Sequence, residues 1–196
     1  MPRLLTAVLG LGALVLAGCG GRHEGAHLRS GHAAASSAVR PTEPFRREHV
    51  ELAKHLAHVH DMNGRLASEE APERADTMRK IVSFFEDHLA PHARWEEGHL
   101  YTSVDKRAGG PSPFTASMRF EHRVVERWIG ELRRESLAAA PDVTKFARRT
   151  DYLLGLVTAH LEAEEEVLLP VLDRTMTPQE FERELGHDEG GVHSHE

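Results

Sequence analysis

The sequence lacks several features that would point to other classes of protein. A single cysteine among 196 residues excludes an intramolecular disulfide framework and any metal site built from several thiolates. The formal net charge of -7 argues against a nucleic-acid partner, and none is expected. Aromatic residues are few, and the apolar-polar alternation of β-strands is scarce. What remains is rich in Glu, Arg, Leu and Ala at helical spacing, which predicts an all-α protein.

The only long apolar run lies at the N-terminus, between Arg3 and Cys19. It is too short and too rich in Gly and Ala to span a membrane comfortably, but it has the charged start and small-residue end of a secretory signal. Its last four residues, Leu-Ala-Gly-Cys, resemble the lipobox of bacterial lipoproteins. The resemblance implies a signal peptide over residues 1–18 and a lipid on Cys19. A plain signal peptide with a chance cysteine is the alternative.

Composition divides the rest of the chain into three parts. Residues 19–43 are rich in Gly, Ser, Ala and His with few apolar anchors, which predicts a flexible tether. Residues 44–186 carry the helical patterns and form the predicted domain. Residues 187–196 are polar and predict a disordered tail. A lipid on Cys19 would then anchor the domain to a membrane, facing the periplasm or the exterior of the cell envelope.

Apolar residues at spacings of three and four predict long amphipathic helices joined by short connections. The segment Thr177-Pro178-Gln179-Glu180 has the pattern of a capping box and opens a short last helix. Short connections favour antiparallel neighbours, so the predicted architecture is an up-down-up-down four-helix bundle with a short C-terminal fifth helix. The predicted helices cover residues 44–66, 72–104, a segment from the Gly-Gly-Pro break to about 136, 143–174, and a stretch that ends near 186.

Two copies of one pattern organise this domain. The second helix carries His92-x-x-x-Glu96-Glu97, and the fourth carries His160-x-x-x-Glu164-Glu165. In a helix, residues four apart lie on the same face, so each His and the Glu after it point the same way. The first and third helices each add one His on an apolar stripe, His49 and His122. Each half is thus a hairpin that brings a lone His opposite a His-x-x-x-Glu pair.

These six residues, predicted to converge inside the bundle, suggest a metal site. Buried ionisable groups without partners would cost several kcal/mol each, and a bound cation removes that cost. Imidazole and carboxylate without thiolate suit iron, manganese or zinc. His88, one turn before His92, and Glu126, one turn after His122, are possible additional ligands. A surface position explains either of them equally well.

Over about residues 45–174, these motifs resemble the hemerythrin family, specifically the bacterial hemerythrin-like HHE cation-binding domain. The resemblance implies a four-helix bundle that holds two non-haem iron ions through His49, His92, Glu96, His122, His160 and Glu164. Zinc and manganese rank below iron. Such centres bind or react with dioxygen, nitric oxide or peroxide, or sense or lend iron.

The sequence departs from the oxygen-carrying hemerythrins at two positions. Their third helix has His-x-x-x-His where this chain has Glu126, and their fourth has Asp five residues after His where this chain has Glu164 at four. More carboxylate should favour ferric iron and disfavour reversible oxygen carriage. The expected function is binding or sensing of dioxygen or nitric oxide at the cell envelope. The alternatives are a diiron oxidoreductase acting on peroxide, nitric oxide or ferrous iron, and an iron-buffering protein.

Overall fold

A computed structural model describes residues 40–186, and within that range the protein is helical with no strand. Helix α1 spans Glu43–Arg65. Helix α2 runs over residues 71–107, α3 spans Pro113–Ser136, and α4 runs over residues 143–175. The short α5 spans Pro178–Leu185, and its predicted Thr177–Glu180 capping box is formed. The all-α bundle expected from the sequence is confirmed.

Local sequence accounts for the ends of these helices. Ser112 and Asp142 cap α3 and α4 by accepting hydrogen bonds from the backbone N–H groups of Thr115 and Lys145. The connection after α2 passes through Gly109, whose φ of 85° is strained for any residue with a Cβ. The three connections between the four long helices are short, so consecutive helices run antiparallel. Contacts join α1 to α2, α2 to α3, α3 to α4 and α4 back to α1, which closes the four-helix ring.

Three π-helical turns interrupt the second and fourth helices. In α2 they are Phe85–Leu89 and Glu96–Leu100, and in α4 the turn is Glu164–Leu168. Pro91 and Pro170 each stand two residues after such a turn and lack the N–H that an α-helix would use there. The second helix therefore continues past Pro91 by way of a widened turn. Two of the turns begin at a Glu of the repeated motif, and π-turns are frequent at functional sites.

Two apolar clusters fill the bundle, one on each side of a polar layer. The larger cluster includes Leu56, Ile81, Ile129 and Leu153, and the smaller includes Phe45, Leu100, Met118, Leu168 and Phe181. Each of the four long helices crosses from one cluster to the other, as α1 does between Phe45 and Leu52. The residue that α1 places at the crossing is His49, which is 4% exposed. The polar layer is therefore held rigidly by packed apolar groups above and below it.

Two residues that precede the predicted domain start at residue 44 also pack against the bundle. Pro41 and Thr42 are buried, and Thr42 donates two hydrogen bonds to Asp173 at the end of α4. The predicted signal peptide (1–18), Cys19, most of the tether and the tail (187–196) lie outside the described residues. Within residues 40–186, no helix combines the length and apolar character that a membrane span requires.

Candidate metal centre

The polar layer contains all six of the residues that the sequence analysis named as principal ligands. His49 comes from α1, His122 from α3, and each of α2 and α4 supplies one His-x-x-x-Glu pair. His49, Glu96, His122, His160 and Glu164 are buried, and the His92 side chain is 15% exposed. Their ring nitrogens and carboxylate oxygens converge on two neighbouring positions, called here position 1 and position 2.

Position 1 lies between His49 and His92. The Nε2 atom of His92 is 2.9 Å from Glu96 Oε1, and the Nε2 atom of His49 is 3.7 Å from the same oxygen. Glu164 Oε2 is 3.4 Å from His49 Nε2. The ligand atoms of His49, His92 and Glu96 all lie within 4.8 Å of one another, so a single cation could contact them together.

Position 2 lies between His122 and His160, whose Nε2 atoms are 2.9 Å apart. Glu96 Oε2 is 3.2 Å from His122 Nε2, and Glu164 Oε1 is 3.6 Å from His160 Nε2. Glu96 and Glu164 therefore each direct one oxygen to position 1 and the other to position 2. This is the arrangement of two carboxylates that bridge a pair of metal ions.

Further carboxylates fix the orientation of three of the four imidazoles. The Nδ1 atom of His49 is 2.8 Å from Glu165 Oε1, and that of His160 is 2.8 Å from Glu121 Oε2. The Nδ1 atom of His122 is 3.1 Å from Glu97 Oε1. An ionised carboxylate only accepts hydrogen bonds, so each Nδ1 carries a proton, and in the neutral form of the ring the lone pair is on Nε2, which points inward. Metal-binding histidines are typically held in this way.

A cluster of inward-facing acceptors needs a positive charge at its centre. The lone pairs of His122 and His160 Nε2 face each other across 2.9 Å and, with both Nδ1 atoms protonated, cannot bond to each other. At position 1, all four converging atoms are buried and have no hydrogen-bond partner: His49 Nε2, His92 Nε2, Glu96 Oε1 and Glu164 Oε2. Orphaned buried acceptors are strongly unfavourable. Cations at both positions would satisfy them, and the donor set of nitrogen and oxygen fits iron, manganese or zinc.

Without a metal, the pKa values of the two buried carboxylates, Glu96 and Glu164, are shifted in opposite directions. Burial, together with the negative charge of Glu96, raises the pKa of Glu164 well above its ordinary value. Burial would also raise the pKa of Glu96, but the charge on His92 and the neighbouring imidazoles of His122 and His49 hold it well below its ordinary value. The cluster thus tolerates one carboxylate anion easily and a second only with more positive charge. Bound cations would supply that charge.

Sequence reasoning missed one member of the cluster, Tyr101. This residue is fully buried, and its hydroxyl donates a 2.6 Å hydrogen bond to Glu164 Oε1. The Tyr101 hydroxyl oxygen also lies 3.2 Å from His122 Nε2 and 3.1 Å from His160 Nε2, at position 2. The sequence shows that the two repeats differ here, because Tyr101 follows Glu96 by five residues whereas Leu169 follows Glu164 by five, but it does not show what the hydroxyl contacts.

The two optional ligands do not join the cluster. His88 is exposed, and its ring lies against those of Phe84 and His55. Glu126 is exposed on α3 and belongs to neither candidate metal group among residues 40–186. Glu126 points outward because the buried stripe of α3 continues through Val125 and Ile129. The extra carboxylate that was expected to favour ferric iron is therefore absent from the centre.

Two spaces border the polar layer, a small internal cavity and a larger surface groove. A small cavity of about 10 Å³ touches His92, Glu96, His122 and His160 and is otherwise lined by apolar groups such as Leu89 and Val157. Its volume is at the lower limit for one water molecule. A larger groove of about 990 Å³ runs between α1 and α4 on the surface, and His49 and Leu161 form part of its wall.

Comparison with known protein families adds an independent finding. The family model described as "Hemerythrin HHE cation binding domain" matches residues 40–172, which is more than half of the chain and includes every residue of the cluster. Searches of curated proteins and of solved structures return no significant match. With the all-α bundle and its paired His and Glu groups, this match shows that the chain belongs to the hemerythrin HHE cation-binding domain family.

Proposed function

We propose that this protein holds two iron ions in a non-haem diiron centre and binds or senses dioxygen or nitric oxide at the cell envelope. One observation carries the proposal: Glu96 and Glu164 each present one oxygen to each of two histidine pairs. A site for one ion would not need both oxygens of both carboxylates. Two ions, one at each position, use every one of these atoms.

Iron is favoured over the other metals that suit nitrogen and oxygen ligands. The two imidazoles and two carboxylate oxygens at a position suit iron, manganese or zinc, and the resemblance to the hemerythrin family is what supports iron among them. When bound, an iron pair would supply one-electron chemistry and open coordination positions for a diatomic molecule. The lining of the small cavity beside His92 and His160 is mostly apolar, which favours an uncharged ligand such as dioxygen or nitric oxide over an ion.

The protein residues have separate roles in this centre. Glu97, Glu121 and Glu165 keep the Nε2 lone pairs of their histidine partners aimed at the metal positions. Glu165 is itself held by Arg46, which also pairs with Asp173 at 3.1 Å. The two apolar clusters on either side of the layer keep bulk water away from the centre.

We also place the domain at a membrane, through a lipid on Cys19 after removal of residues 1–18. The support is the sequence pattern at the N-terminus, since this part lies outside the described residues. The Cys19→Ser variant is expected to leave the membrane fraction, because one cysteine is the only attachment point for acyl chains. A variant that remains as membrane-bound as the unaltered protein after cell fractionation would overturn this part of the proposal.

The test of gas binding is optical. Anaerobically reduced, iron-loaded protein is exposed separately to dioxygen and to nitric oxide, and each is expected to produce a new charge-transfer absorption. The His49→Ala variant, which removes a donor from position 1, is expected to lose that change. The Glu126→Ala variant serves as a control because its side chain is exposed. Unchanged spectra in the presence of both gases would reject gas binding.

An oxidoreductase acting on peroxide, nitric oxide or ferrous iron is the second candidate. Its specific support is the oxygen-rich environment of position 2, where the Tyr101 hydroxyl joins two carboxylate oxygens, since such surroundings stabilise the ferric state. Repeated turnover of any of these substrates by the iron-loaded protein would favour this candidate. Iron buffering would instead be indicated by stoichiometric release of iron to a chelator without turnover.

A further inference from the structure

The Tyr101 hydroxyl lies among the donor atoms of position 2, and nothing in its local sequence requires it there. Tyr101 is 0% exposed, and its oxygen contacts three atoms of the centre at 2.6, 3.1 and 3.2 Å. These atoms are Glu164 Oε1, His160 Nε2 and His122 Nε2. A phenol that served only to fill space in the apolar cluster would not need three polar contacts at one point.

The spacing of these atoms is that of ligands around a single ion. Ligand atoms about 2.1 Å from an octahedral metal and at right angles to each other lie about 3 Å apart. The Tyr101 oxygen and the two Nε2 atoms of His122 and His160 form a triangle with sides of 2.9, 3.1 and 3.2 Å. Glu96 Oε2 continues the set at 3.2 Å from His122 Nε2. A cation equidistant from these atoms would have the Tyr101 oxygen as a ligand.

The internal repeat shows that position 1 lacks this donor. His92 corresponds to His160 and Glu96 to Glu164, so the counterpart of Tyr101 is Leu169, which is also fully buried. The neighbouring ring at position 1 is apolar as well, since the ring centroid of Phe45 is 4.4 Å from that of His49. Position 2 therefore has five protein donors and position 1 has four. The two halves of the internal repeat therefore differ in one pair of residues, a tyrosine at position 2 and a leucine at position 1.

A positive charge also accompanies the phenol. The guanidinium of Arg119 lies 5.4 Å from the centroid of the Tyr101 ring and is held by Asp105 Oδ2 at 3.1 Å. A cation at this distance is attracted to the electron-rich face of the ring.

We propose that Tyr101 is a protein ligand of the metal at position 2, so that exchangeable small molecules bind at position 1. This inference rests on the proposed diiron function. The oxygen–metal bond forms as the phenolic O–H bond breaks, and the proton is released to solvent along with the other protons displaced by metal binding. The bound phenolate would donate electron density to the metal at position 2 and would stabilise its ferric state more than that of the metal at position 1. The two metal ions are therefore unequal although the histidine and glutamate ligands repeat.

The experiment uses iron-loaded, oxidised full-length protein and compares Tyr101→Phe with Tyr152→Phe. The chain has two tyrosines, and Tyr152 is 72% exposed, so it is a matched control. Unaltered protein and Tyr152→Phe are expected to show a visible phenolate-to-iron charge-transfer band. Resonance Raman lines of a tyrosine ring should be enhanced within that band and should shift when the tyrosines carry ring deuterium. Tyr101→Phe should lose both signals.

Iron content measured on the same samples separates the possible failures. If the protein holds two irons per chain but the band is absent, or survives in Tyr101→Phe, the ligand assignment is overturned while the diiron function stands. If no iron is held under any loading condition, the proposed function fails and the ligand assignment fails with it. Retention of a native helical circular dichroism spectrum by Tyr101→Phe would show that loss of the band does not reflect unfolding.

Azide tests the second half of the proposal. Added to oxidised protein, azide is expected to contribute its own charge-transfer band while the tyrosine Raman lines persist, because it enters position 1. Replacement of the tyrosine lines by the azide band would show that azide takes the place of Tyr101. That result would overturn the assignment of the exchangeable position.

Discussion

Replacing Glu96 with Gln tests the bridging arrangement with almost no change of shape. Glu96 is 1% exposed, and its two oxygens face different metal positions, one at 2.9 Å from His92 Nε2 and the other at 3.2 Å from His122 Nε2. A glutamine has one oxygen and one NH₂ group, and the NH₂ group cannot bind a metal. Whichever way the amide lies, one metal position faces a nitrogen that repels the cation. We therefore expect Glu96→Gln to hold one metal tightly and to lose the other.

The size of this effect can be worked out from the linkage between metal binding and stability. A metal present at about a thousand times its dissociation constant stabilises a folded protein by about 4 kcal/mol per site. For a domain of this size, 1 kcal/mol corresponds to roughly 2–4 °C in Tm. Each occupied position should therefore raise Tm by about 8–16 °C. Glu96→Gln should show only about half of the metal-dependent increase seen in the unaltered protein.

The assay is thermal unfolding followed by circular dichroism, with and without ferrous iron added anaerobically. Each variant is compared with its own metal-free form, so any direct effect of the substitution on the apoprotein is subtracted. Glu126→Gln is the matched control, because Glu126 is exposed and lies outside the cluster. If Glu96→Gln gained as much stability from iron as the control, Glu96 would not be a shared ligand and the reasoning would be refuted.

Three further predictions concern the same centre. Glu121→Ala removes the acceptor 2.8 Å from His160 Nδ1 and should weaken metal binding about 10–100-fold in a chelator competition; an unchanged affinity would contradict the role of Glu121. Metal affinity should fall as pH is lowered, because the raised pKa of Glu164 means that a proton competes with the metal there. Calorimetry in buffers of different ionisation enthalpy should detect protons released on metal binding, and binding without proton release would contradict this prediction. Removing both metals with a chelator should lower Tm by about 16–32 °C, which is the sum over two positions, and no shift would argue that the cluster binds no metal.

Much of this architecture follows from the sequence because its signals are local and repeated. The helix ends depend on residues such as Ser112 and Thr177, whose capping role is visible in the chain itself. The ligand layer follows from the coincidence of His-x-x-x-Glu with the buried stripe of each helix, as at His92 and His160. Periodicity predicts which face a side chain occupies, and two matching faces predict a shared interior site.

What could not be predicted depends on where helices meet. Tyr101 lies on the same buried stripe as Leu100 and Val104, so periodicity alone places it in the apolar cluster. Only the packed bundle shows that its hydroxyl reaches across to His122 and Glu164. The π-turn at Glu96–Leu100 shifts the register immediately before Tyr101, and no residue in that turn predicts the shift. For Glu126 the sequence left a ligand and a surface residue equally open, and the structure places it on the exposed face of α3.

The most direct test of the account is the metal content of the full-length protein purified from its native cells. Elemental analysis should find two iron ions per chain, and His49→Ala, which removes a donor from position 1, should lower that number. A single ion per chain would contradict the pairing of positions across Glu96 and Glu164. Zinc in place of iron, or no metal at all, would contradict the proposed diiron centre itself.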